Sequence, residues 1–175
     1  MNAMERITEF AKSIGVYHLT SETAWGWPIL ESIHYVGLSM LFGTVILYDL
    51  RVLGVAKSVP VKSLHRFIPI GVAGFIINLV TGVMFYISAP ANYSYSPAFH
   101  VKVICLFIAG ANVMIFYTFL AKRTNAVGAG EDAPLSSKIA AGVSFLAWSG
   151  VLAGGRFLGF FKPPQHWCDW CGLFS

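Results

Sequence analysis

Two histidines offer the most specific chemistry in this sequence. His34 and His100 lie near the starts of two long apolar segments. An ionisable group inside a bilayer costs about 3 kcal/mol or more and is seldom there without a task. Imidazoles presented by facing helices are the axial ligands that a b-type haem takes. The spacing therefore predicts one haem b held between His34 and His100, which would be its metal ligands.

Other polar residues sort around that pair. Arg156, near the end of a later apolar segment, suits the haem propionates, because guanidinium pairs with carboxylate in a fixed fork. Lys102 is a second cation nearby, although its long stem could also snorkel outward. Gly37, one turn after His34, would leave clearance for a flat ring. Gly71, Gly74, Asn78 and Gly82 form a smooth strip, read either as a ring-facing slot or as plain helix packing. Glu31 shares a helix face with His34 and would orient it or take a proton near a quinone. His65 has no second histidine at its level, so one haem is expected and not two. His18 and His166 lie outside the apolar segments and could complete a second outer site. Met40, Met84 and Met114 with Cys105 are soft donors suited to copper, or ordinary membrane filler. Cys168 and Cys171 are spaced for a local disulfide or half of a metal site.

The elements that must position these residues follow from composition. The chain has 175 residues, of which 56% are hydrophobic and 11% charged. Soluble domains carry roughly 25% charged residues, so the sequence reads as a single membrane domain over 1–175. Four segments exceed the roughly 20 residues that cross a hydrocarbon core. They run over about 28–50, 64–87, 97–120 and 138–161. Ser96 and Pro97 supply an N-cap and first-turn proline for the third, and Ser136 or Ser137 a cap for the fourth. Met4, Ile7, Phe10, Ala11 and Ile14 recur at helical spacing, as in an amphipathic helix lying at the interface or capping the bundle. No basic start followed by an apolar core marks a signal peptide.

Charge sets the orientation. Arg51, Lys57, Lys62 and Arg66 flank the first connection, and Lys122, Arg123 and Lys138 the third. The second connection, from Ser88 to Phe99, has no lysine or arginine. The positive-inside rule then puts both termini in the periplasm of a bacterial inner membrane. Short loops predict an all-α, up-and-down four-helix bundle with spans one and three diagonal. His34 then lies roughly 9 Å, His100 roughly 5 Å and Arg156 roughly 8 Å below the outer surface, at 1.5 Å per residue. The dispersed charge gives no patch for nucleic acid.

The stretches Glu31-Ser-Ile-His34 and Asp49-Leu50-Arg51-Val-Leu53-Gly54 carry a resemblance. With Thr81-Gly82, Phe99-x-x-Lys102, Asn112, Trp148 and Gly155-Arg156, they resemble an uncharacterised family of bacterial four-helix membrane proteins. More distantly, the arrangement is similar to the CopD-type and HemJ-type haem membrane proteins. That similarity implies a haem ligand at His34 and a functional lysine at Lys102. The ending Asp49-Leu50-Arg51 departs from the HemJ-type pattern, so haem transfers better than porphyrin oxidation does.

The expected function is electron transfer between a periplasmic or membrane redox complex and quinone. Tyr93, Tyr95 and the C-terminal tail would form the partner surface. Two alternatives remain: a haem-free structural subunit of a larger complex, and a porphyrin oxidase or copper transporter of the HemJ or CopD kind.

Overall fold

Lipid offers a backbone no hydrogen-bond partners, so long apolar runs fold into helices that satisfy their own N–H and C=O groups. The structure, a computed structural model, describes residues 3–160. It contains α1 (Ala3–Ser13), α2 (Gly26–Leu53), α3 (Val61–His65), α4 (Ile68–Ser88), α5 (Pro90–Ser94), α6 (Pro97–Ile115), α7 (Ala121–Asn125) and α8 (Leu135–Phe157). No strand occurs among the described residues. Four stretches are long and apolar enough to cross a membrane: Gly26–Leu53, Val61–Ser88, Pro97–Asn125 and Leu135–Phe157. The protein is a multi-pass, all-α membrane protein.

Local chemistry sets the helix ends. α2 stops at Gly54, whose φ of +109° is a left-handed conformation that glycine adopts cheaply. Its N–H reaches back to Arg51 O, and Val55 N donates to Leu50 O at 2.9 Å. The second span starts earlier than expected and is broken. Pro69 lacks an N–H and its ring crowds the carbonyl four residues back, at His65, where α3 ends and before α4 begins. The third span contains a π-helical turn, Phe116–Leu120, before α7. Ser96 does occupy the N-cap of α6, but makes no side-chain capping bond. The expected cap of the fourth span is corrected. α8 begins at Leu135, directly after Pro134, and Ser137 Oγ instead meets Thr124 Oγ1 at 2.7 Å.

Helices α2 and α4 form one antiparallel hairpin, and α6 and α8 another. α2 also packs along α8, whereas α4 and α6 make at most marginal backbone contact. The bundle is thus an open arc in the order α4, α2, α8, α6. Small residues draw the backbones together. A side chain at Gly74 would drive into the α2 backbone at Gly37 and Leu41, and one at Gly37 into Ile77 and Asn78. Across the other hairpin, Gly150 faces Cys105, and Gly154 faces Ala98 and Lys102. The glycine strip of the second span is therefore a packing surface.

The amphipathic segment caps the bundle. α1 packs on α4 and α5 through the fully buried Ala11, leaving Phe10 and Ile14 exposed. The following π-helical turn, His18–Glu22, is pinned where Thr20 Oγ1 meets Ser88 Oγ at 2.8 Å. The Trp27 ring packs at a tilt against Phe85, with ring centroids 4.8 Å apart.

At the basic end, two loops are tied by one side chain. Arg51 is 1% exposed. Its Nε donates to Val59 O. Its Nη2 donates to Lys57 O at 3.3 Å, Gly128 O at 2.9 Å and Glu131 O at 3.4 Å. Backbone bonds reinforce the seam, with Val61 N to Val127 O at 3.2 Å and Gly130 N to Lys57 O at 2.8 Å.

Candidate functional site

His34 sits on α2 and turns toward α4. Its Nδ1 lies 2.7 Å from Thr81 Oγ1. The Thr81 hydroxyl in turn lies 2.7 Å from Ile77 O, to which it donates as a helical threonine does. With that proton committed, Thr81 accepts from His34 Nδ1–H, and the Nε2 lone pair is left to act. Imidazoles that ligate metals are held in this way, with the other nitrogen donating to a fixed acceptor. Phe85 meets the ring edge-on at 5.7 Å. A side chain at Gly82 would come within 3.9 Å of His34 Cε1. Thr81-Gly82, noted in the sequence only as part of a resemblance, is the seat of His34.

The other predicted residues are placed as follows. Lys102 stands close enough for its charge to act on His34. Its Nζ lies 3.6 Å from the position a Cβ would take at Gly155. Arg156 is at the same end but exposed, with its guanidinium 5.3 Å from the centre of the Phe160 ring. The expected clearance at Gly37 is corrected, because Ile77 and Asn78 fill that space. Glu31 does not orient His34, a task that falls to Thr81. It accepts instead from the Tyr35 hydroxyl at 3.2 Å. Its carboxylate and burial together push the Tyr93 phenol, in α5, up to about 12, with burial the larger cause.

The packing of α6 turns His100 away from α8. Ala98 and Lys102 meet Gly154, Cys105 meets Gly150, and Asn112 Nδ2 donates to Ala140 O at 3.1 Å. These contacts define the face of α6 that packs on α8. At about 100° per residue, His100 lies on the opposite side of α6, two residues from Ala98 and from Lys102. It shares an edge contact with Phe99, with centroids 6.5 Å apart.

The soft donors do not converge either. Met114 is 73% exposed, whereas Cys105 is packed against α8. Among the described residues, no group of three or more His, Cys, Asp or Glu side chains is placed to hold a metal ion. His18 pairs with Glu22, with Nδ1 2.6 Å from Oε2. His65 lies at the basic end between the rings of Tyr48 and Tyr117, at 6.4 and 6.2 Å. His166, Cys168 and Cys171 lie outside the described residues.

A second polar locus lies nearer the basic end. Asp49, on α2, is 5% exposed within a membrane span. Ser144 of α8 stands near its carboxyl. Asp49 lines a cavity of about 380 Å³ shared by all four spans. An acidic residue inside an apolar helix is by itself a signal of function, and it was visible in Tyr48-Asp49-Leu50.

The chain belongs to a family of unknown function, DUF6644, whose profile it matches over residues 12–161. No curated protein and no solved structure matches it. Nothing in these comparisons supports the more distant likeness to CopD-type and HemJ-type proteins.

Proposed function

We propose that this family member is a b-type haem protein of the bacterial inner membrane, passing electrons between a periplasmic redox partner and quinone. One observation carries the reading: His34 is oriented through Nδ1 by Thr81 at 2.7 Å, leaving Nε2 as a ligand atom. In this reading His34 is the protein ligand to the iron, and Lys102, whose charge reaches it, is the cation for the propionates. Arg156 stays at the rim as an exposed cation. His100, on the far face of α6, has no part in the iron site. The haem would supply the redox chemistry, while the chain supplies ligand, orientation and a low-dielectric surround. The basic loops at one end support the orientation with both termini periplasmic.

Absorbance of the purified protein tests this. The expected result is a Soret band and one haem per chain by pyridine haemochrome. His34→Ala should abolish both, whereas His100→Ala should keep them. Thr81→Val should weaken haem affinity about tenfold, the usual cost of losing a partner that orients a ligand. A wild-type protein without a Soret band, or a His34→Ala protein with its full haem complement, overturns the proposal.

One observation favours the alternative of a haem-free subunit in a larger complex. Only 6% of the most apolar window of the third span is buried within the protein, so α6 offers a long face to lipid or to a neighbour. Copper transport has less support, since Met114 and Cys105 point to different surroundings.

A further inference from the structure

Two residues lining the cavity near the basic end carry unused hydrogen-bonding atoms of opposite kind. Asp49 Oδ2, an acceptor, and Trp148 Nε1, a donor, are both shut off from solvent and have no hydrogen-bond partner among the described residues. Both residues are among those that line the cavity, and both are more than nine-tenths buried, at 5% and 7% exposure. A buried polar atom left unmade costs about 1–3 kcal/mol, and more where it is charged. An occupant that supplies both a donor and an acceptor would match the two.

The rest of the wall narrows the class. It is mostly apolar and includes the aromatic rings of Phe75, Phe116 and Tyr117. Phe75 meets Trp148 edge-on at 6.5 Å. The π-helical turn Phe116–Leu120 begins at this level, and such turns recur at binding sites. The cavity is bounded by α4 and α6, the pair without close backbone packing, so it faces the bilayer. An occupant therefore comes from lipid, carries an aromatic ring, and presents a hydroxyl that donates and accepts at once.

We propose that this cavity binds a lipid-soluble hydroquinone, its hydroxyl donating to Asp49 and accepting from Trp148. Neither atom is open to solvent, so the occupant must turn them inward to use them. The inference rests on the quinone-linked reading of the protein and supplies the site for it, on residues separate from His34. Binding alone is assigned, and the cavity performs no redox step.

The test uses the full-length protein in detergent, with decylhydroquinone as probe and decylbenzene as the ring-and-tail control. Dicyclohexylcarbodiimide, which modifies carboxyls within membranes, reads the occupancy of Asp49 by mass spectrometry. Decylhydroquinone should protect Asp49 saturably, and decylbenzene should not. In equilibrium binding, Asp49→Leu and Trp148→Phe should each lose about tenfold in affinity, the scale of one buried hydrogen bond. Asp49→Asn keeps an acceptor oxygen and should bind nearly as well as the wild type. Equal protection by decylbenzene, or no protection of the folded wild type by either probe, overturns the proposal. Haem absorbance read on the same sample separates the two readings. Protection without a Soret band fails only the haem site, and a Soret band without protection fails only this one.

Discussion

The two ends of the bundle use polar groups in opposite ways. At the basic end Arg51 is spent on architecture, with Nε and Nη2 bonded to the carbonyls of Lys57, Val59, Gly128 and Glu131. At the other end His34 is fixed by a single side chain, Thr81, which leaves a ring nitrogen over. A guanidinium between two loops closes a structure. An imidazole with one nitrogen held presents a reagent. The motif Asp49-Leu50-Arg51 spans both uses, since Arg51 turns to the loops and Asp49 to the cavity.

The largest break in that contrast comes from Arg51→Met. It strands several buried carbonyls and should cost about 3 kcal/mol or more, read as a lowered unfolding midpoint in detergent. Arg51→Lys should not restore stability, because one ammonium cannot span the fork. Proteolysis should become faster in the loops 54–60 and 126–134, while haem at the proposed His34 site should persist. Equal loss at both ends would show that the ends are not independent.

Gly74→Leu acts midway along the α2–α4 pair, beside Gly37, which lies one turn after His34. Its side chain would push α2 from α4 at Gly37 and Leu41, costing about 2 kcal/mol through overpacking. Because His34 and Thr81 face each other across the same pair of helices, affinity at the proposed haem site should fall with it. Loop proteolysis should stay at the wild-type rate.

Asp132→Asn gives the smallest effect. Its carboxylate meets Lys57 Nζ at 2.9 Å and Lys138 Nζ at 3.0 Å on the exposed face of the loops. Those hydrogen bonds hold its pKa below the usual carboxylate range. The sign follows: the carboxylate stabilises the fold at neutral pH, and that contribution fades as pH falls through the depressed pKa. Asn should remove that part of the acid sensitivity, with a difference at neutral pH that high salt erases.

The spans were legible because apolar length in lipid permits little besides helix. Boundaries were less so. Pro69 and Pro134 were in view, yet their effect depends on which carbonyl lies four residues back and on what precedes the first turn. The partner of His34 could not be read, because helix rotation decides which of many span-two residues meets it. The face of His100 could have been. Ala98, Lys102, Cys105, Ala109 and Asn112 mark one side of α6 at helical spacing, and His100 stands outside that stripe. Asp49 was as legible as the histidines, since a carboxyl within a span is as unusual as an imidazole.

The Arg51 tie also has a mechanical meaning. It fastens the α2–α4 hairpin to the loop of the α6–α8 hairpin at one rim only. Prying the hairpins apart from that rim must rupture charge-assisted bonds. Spreading them from the opposite rim, along the seam between α4 and α6, breaks none of these. At that opposite rim the hairpins are joined in another way, by the chain itself through α5 and by the stacked rings of Tyr86 and Phe99 at 5.7 Å.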